Sequence, residues 1–257
     1  MGKFLCVLLF SFGFLAIHLR AEPPVIVIDP GHGGASVAGT LKERSNSSPN
    51  NARTPSGILE KELTLEFSQI LRDVILEEAR RTGPAVGVLL TRETDRNLDF
   101  AQRAAIAHRS DTACIVSIHF NAGAGGKAQG SLALIGARSR NPNYEIDYAF
   151  GKQLAEACSK GVQQFLPKSK SRGVITDGHL HGGLGSNFFY QLARYPKLRK
   201  VPKCFLEVEF IDNPAVEKAL LGKGRKERFR RIAKEIAVSL LDQLDKPAAP
   251  SHSKIKN

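Results

Sequence analysis

The chain has 257 residues, 42% of them hydrophobic, and its 37 Lys and Arg against 25 Asp and Glu give a formal net charge of +12. That length supports one sizeable domain with a full core. The four cysteines have no spacing of a cysteine zinc site, and their small number reads against a disulfide framework.

Residues 1–21 read as an export signal. Lys3 supplies a positive start, an apolar run continues to Leu19 with only Ser11 and His18 as polar interruptions, and Ala21 is a small residue before the cut. The run is short for a span of about 20 residues, which favours a cleaved signal over an anchor. No second apolar segment of spanning length follows. The signal holds Lys3 and Arg20 and no acid, so its loss takes away two charges and leaves +10. An exported protein of that charge is expected in the periplasm, or secreted to the cell wall. It should meet envelope polymers or a membrane surface, and nucleic acid is the least favoured polyanion. The basic cluster over 222–231 reads as a solvated helix face.

The expected mature chain starts at Glu22, and its first apolar run is Val25-Ile-Val-Ile-Asp-Pro-Gly-His-Gly-Gly34. Its β-branched run predicts a buried strand, stopped by Asp29 and Pro30, and the glycines turn the backbone around His32. Residues 35–56 are rich in Ser, Asn, Pro and Gly and predict a long surface loop. An amphipathic helix then starts at Glu60, carries Leu63, Phe67, Ile70, Leu71, Val74 and Ile75 on one stripe, and ends at Gly83-Pro84. The helix dipole alone is a sufficient reason for an acid at Glu60.

A strand over 86–91 and a helix over 98–108, carrying Arg103, come next. The run over 113–122 repeats the opening pattern: an apolar strand ending in a histidine, His119, before a glycine-rich turn. A further strand is expected over 131–135, a helix over 144–165, a polar loop over 168–185 with His179 and His181, and a helix over 187–199. A strand over 204–210 and helices over 214–221 and 225–244 close the domain, which spans 22–245 before a polar tail over 246–257. Cys114, Cys158 and Cys204 read as small buried residues, with a Cys114–Cys204 bridge left open. Alternating strands and helices predict a single α/β domain, a mostly parallel twisted sheet flanked by helices on both faces.

His32 and His119 each end a strand, so neighbouring strands would bring both imidazoles to one rim. Glu60 could join them, and two His, one Glu and an open fourth position make a catalytic zinc set. Such a site supplies water acidified to a pKa of about 7 and polarises a carbonyl. A proton acceptor is still needed. Glu207 and Glu209, two acids in an apolar strand, are the candidates, and strand alternation puts both on one face without choosing.

Six segments in order now carry a resemblance. Ile26–Gly34, Gly57-Ile-Leu-Glu-Lys-Glu-Leu63, Leu90-Thr-Arg-Glu-Thr-Asp95, Arg103, Ser117-Ile-His-Phe-Asn-Ala122 and Phe205-Leu-Glu-Val-Glu-Phe-Ile-Asp-Asn213 resemble the zinc-dependent N-acetylmuramoyl-L-alanine amidases with an Amidase-3 catalytic domain. The resemblance implies that His32, Glu60 and His119 hold zinc. It also implies that Glu207 is the catalytic acid–base, because the motif places that residue three before an aromatic, here Phe210. The implied reaction splits the amide between N-acetylmuramic acid and L-alanine in peptidoglycan, in muropeptides or in lipid-linked precursors.

Two features depart from the pattern: the loop from His32 to Glu60 is long, and Glu209 stands where the family usually has glycine. The His179/His181 pair looks like an insertion, better read as a solvated loop than as a second metal site. Other readings keep the wall but change the chemistry, as a peptidase acting within the stem peptide or as an inactive wall-binding activator. The sequence shows no blocking helix and no separate wall-binding module, and it leaves open a protein activator and the oligomeric state.

Overall fold

A computed structural model describes residues 22–83, 85–109 and 111–244, and the expected export signal and tail lie outside the described residues. Six strands, β1 (Val25–Pro30), β2 (Gly87–Leu90), β3 (Thr112–Asn121), β4 (Leu132–Ile135), β5 (Val174–Thr176) and β6 (Lys203–Phe210), form one sheet in the order β2-β1-β3-β6-β4-β5. β1 pairs in parallel with β2 and β3, and β3 with β6. β4 runs antiparallel to β6 and parallel to β5. The expected mostly parallel α/β sheet is therefore what forms, with its last two strands reversed.

The strands are apolar on both faces because helices cover both. On one face α1 (Glu60–Thr82), α3 (Tyr144–Gln163) and α6 (Arg225–Leu244) pack on Ile26, Ile28, Val116, Ile118, Leu206 and Val208. On the other, α2 (Phe100–Ala107) and α4 (Asn187–Ala193) cover Val25, Val27, Ile115 and Phe205. Leu63, Phe67, Leu71 and Val74 recur every turn of α1 and are buried, as the stripe requires. α1 ends at Gly83, whose φ of 101° is the left-handed stop that glycine takes without strain.

Several expected boundaries move. The helix expected over 187–199 stops at Ala193, since Pro196 disfavours helical backbone at the residue before it. The stretch over 214–221 divides into α5 (Pro214–Val216), capped by the Asn213 side chain, and a π-helical turn, Glu217–Leu221. β5 lies inside the expected polar loop, too short to show a period. Cys114, Cys158 and Cys204 are all free and buried, and burial pushes the Cys114 and Cys158 thiols up to about 12. No helix among the described residues is long and apolar enough to cross a membrane.

Candidate metal centre

β1, β3 and β6 run the same way, so their carboxyl ends share one rim, where open α/β sheets place ligands. His32 follows β1, His119 sits near the end of β3, and Glu60 begins α1. The fold brings these three together: one ligating atom from each lies within 4.8 Å of the others. His32 Nε2 is 3.3 Å and His119 Nδ1 3.1 Å from the same carboxylate oxygen, Glu60 Oε1. The two imidazoles meet edge to face, with centroids 4.9 Å apart.

The backbone holds two of the ligands, His32 and Glu60. His32 Nδ1 is 3.0 Å from the carbonyl of Ser48, which can only accept, so Nδ1 carries the proton and Nε2 presents a lone pair. Nε2 is buried without a hydrogen bond, a polar atom that the chain itself leaves unsatisfied. Glu60 accepts from the backbone N–H of Ala52 at 3.0 Å and of Phe120 at 3.1 Å. Burial works to raise the Glu60 carboxyl, but the His119 and His32 imidazoles beside it outweigh that and hold it well below the usual range. Burial holds the His119 imidazole below its ordinary value despite that carboxylate, which favours the neutral form a metal needs. Two imidazole nitrogens and a carboxylate oxygen, converging on one unsatisfied spot, fit a divalent ion of the zinc type.

Glu207 is the register partner of His119 across the β3–β6 pair. Its Oε2 is buried with no hydrogen bond among the described residues. Burial, and then the charge of Glu60, push its carboxyl well above the usual range. Glu209 goes elsewhere. Between the His119–Glu207 and Asn121–Phe210 pairs β6 carries one residue more than β3, and this bulge breaks the alternation. Glu209 is fully buried and accepts from the backbone N–H groups of Gly130 at 2.5 Å and Phe210 at 3.0 Å and from the Ser169 hydroxyl.

The sequence profile described as N-acetylmuramoyl-L-alanine amidase matches residues 26–242. The chain belongs to that family. It is a hydrolase of the amidase class, and the family's reaction is cleavage of the cell-wall amide between N-acetylmuramic acid and L-alanine. The germination-specific N-acetylmuramoyl-L-alanine amidase of Bacillus subtilis (strain 168) is 26% identical over 215 residues, 78% of this chain and 72% of that protein. The amidase AmiC2 of Nostoc punctiforme shares the fold with a TM-score of 0.58 at 23% identity, covering 87% of this chain and 98% of that one. The CwlD amidase of Clostridioides difficile, solved with the GerS lipoprotein, superposes with a TM-score of 0.56 at 21% identity over 86% and 98% of the two chains.

Around the centre this amidase buries a polar frame whose roles the sequence did not announce. Arg103 donates to the carbonyls of Pro30 at 2.8 Å and His32 at 2.9 Å, and Arg92 to those of Pro30 at 3.0 Å and Gly31 at 2.8 Å. The two guanidiniums thus clamp the turn that carries His32. The clamp offsets strain, since His32 takes a φ of 60° without being glycine. Asp29 pairs with Arg103 at 2.7 Å and also accepts from Ser117 and Thr91. A Cβ on Gly31 would lie 2.4 Å from the His119 ring, so only glycine fits there. The signal was present in the segment Leu90–Asp95 and in Arg103, but a role as clamp needs the fold. His181 is exposed, the His179 side chain lies outside what is described, and His32, Glu60 and His119 form the metal-capable cluster found among the described residues.

Proposed function

We propose that this amidase is an exported zinc enzyme in which His32, Glu60 and His119 hold the ion and Glu207 moves the proton. The observation that carries this reading is the convergence of the three ligating atoms with Glu207 in register beside His119. Bound there, zinc would supply an acidified water and a Lewis acid for the scissile carbonyl. Glu207 takes the proton as the water oxygen bonds to the carbonyl carbon. It returns that proton to the alanine nitrogen as the C–N bond breaks. A carboxyl already pushed upward by burial suits an acid–base that must carry the proton for part of the cycle.

An open groove lined by Asn51, Arg53, Thr54, Ala122 and Asp212 adjoins the centre through Ala52, whose N–H holds Glu60. We assign it to the wall polymer or its fragments. The catalytic domain occupies 22–245 behind an export signal over 1–21, consistent with work on the cell wall outside the cytoplasm. The GerS complex of CwlD motivates a protein activator for this chain as well.

Digestion of purified peptidoglycan with and without a chelator tests the reading by product mass. Intact stem peptides beginning with L-alanine, lost on chelation and restored by zinc, are expected. Fragments cut within the stem would instead identify a peptidase, and an absence of products with zinc bound would identify a binder. Glu207→Gln should keep zinc and lose turnover by roughly 10²–10⁴-fold; full turnover refutes the assigned acid–base.

A further inference from the structure

Because β4 and β5 run against the other strands, their carboxyl ends lie at the rim opposite the metal centre, beside the start of β6. A cavity of about 100 Å³ opens there. Four cations line it, Arg44, Arg140, Arg199 and Lys203, with Leu184 and Phe189 supplying apolar wall. One acid, Asp177, also lines it, but that carboxylate is already occupied. It accepts from the N–H groups of Ala137 at 2.8 Å and Ser186 at 2.7 Å, with Arg140 Nη2 at 3.5 Å. Lys203 is likewise engaged, with Asp147 Oδ2 at 3.4 Å and the Val201 carbonyl at 3.0 Å.

The arginines are different. Each donates to a backbone carbonyl, and they differ in how many nitrogens that leaves open. Arg44 donates through Nε to the Asn187 side chain at 3.1 Å and through Nη2 to the Leu184 and Gly185 carbonyls at 2.9 and 3.2 Å, and lies 4.0 Å over the Tyr190 ring, which leaves only Nη1 unbonded among the described residues. Arg140 is tied to the Gly183 carbonyl at 2.7 Å. Arg199 donates through Nε to the Ala193 carbonyl at 2.6 Å, and both of its Nη atoms lack a hydrogen bond among the described residues. Arg199, held at Nε with both Nη groups open, matches a planar oxyanion in fork geometry, and Arg44 Nη1 adds a single further donor. The apolar wall beside them asks for a ligand whose anion sits next to a small hydrophobic group.

We propose that this cavity binds the C-terminal carboxylate of a short peptide, with the terminal side chain against Phe189 and Leu184. The site is separate from the metal centre and does not depend on the amidase reading. Calorimetric titration of the zinc-loaded full chain with N-acetyl-alanyl-alanine, its C-terminal amide and inorganic phosphate tests it. The free acid should bind on the order of tenfold more tightly than the amide or phosphate. Arg199→Ala should remove that preference. So should Leu184→Glu, which sets a negative charge at an exposed rim position, 59% accessible, without touching the core. Equal binding of acid and amide, phosphate binding as tightly as the peptide acid, or both variants binding like the native chain would overturn the proposal.

Discussion

Two sets of arginines stand at opposite rims of one sheet and do opposite work. Arg92 and Arg103 are each 1% exposed, and their donors go to backbone carbonyls of the His32 turn and to Asp29 and Thr64. Arg44, Arg140 and Arg199 reach solvent and keep N–H groups without partners among the described residues. Burial makes an unbonded donor costly, so a buried guanidinium is retained only where the fold satisfies it. At the surface no such constraint acts, and an oriented, incompletely bonded guanidinium is free to recognise a ligand. The chemistry of the side chain is the same; the count of unmet donors separates scaffold from recognition.

Breaking the buried set should cost most. Arg103→Met leaves Asp29 charged and unpaired in the core, with an expected loss of about 3–5 kcal/mol of stability. Thermal unfolding checks it, with a fall in Tm on the order of 10 °C; a shift of a degree or two would place the frame among dispensable contacts.

Acid should expose the same pair more gently. Burial works to raise Asp29, but the charge of Arg103 and hydrogen bonds from Thr91 and Ser117 outweigh it and leave its carboxyl below the ordinary range. Its contribution is then complete above the unfolded value of about 3.9 and is lost as pH falls through the lower folded value. Denaturant midpoints measured from pH 6 to pH 2 should drop less steeply in Asp29→Asn than in the native chain. Parallel curves would remove Asp29 from the acid response.

The smallest effect sharpens the contrast from the other side. Arg199→Ala should change stability by no more than about 0.5 kcal/mol, the usual range for a surface substitution, and leave zinc content unchanged. A loss of several kcal/mol in chemical denaturation would mean that this arginine belongs to the scaffold after all.

The sequence made some of this legible and hid the rest for physical reasons. The strands ending in His32 and His119 were plain, because buried parallel strands are apolar throughout and their ends are marked by glycine. Glu60 was not, since a helix dipole explains an acid there as well as a ligand does. Alternation assumed a regular β6, whereas the bulge after Glu207 sends Glu209 to Gly130 and Ser169. The loop over 35–56 showed no apolar period because its role runs through main-chain groups, the Ser48 carbonyl on His32 and the Ala52 N–H on Glu60. β5, Val174–Thr176, was too short to show any period at all.

The most direct test of the central claim is diffraction from zinc-soaked crystals, recorded on either side of the zinc absorption edge. One anomalous peak bonded to His32 Nε2, His119 Nδ1 and the Glu60 carboxylate, with Glu207 beside it, is the predicted result. A peak bound elsewhere on the chain, or an empty centre in crystals of an enzyme that still releases stem peptides, would contradict it.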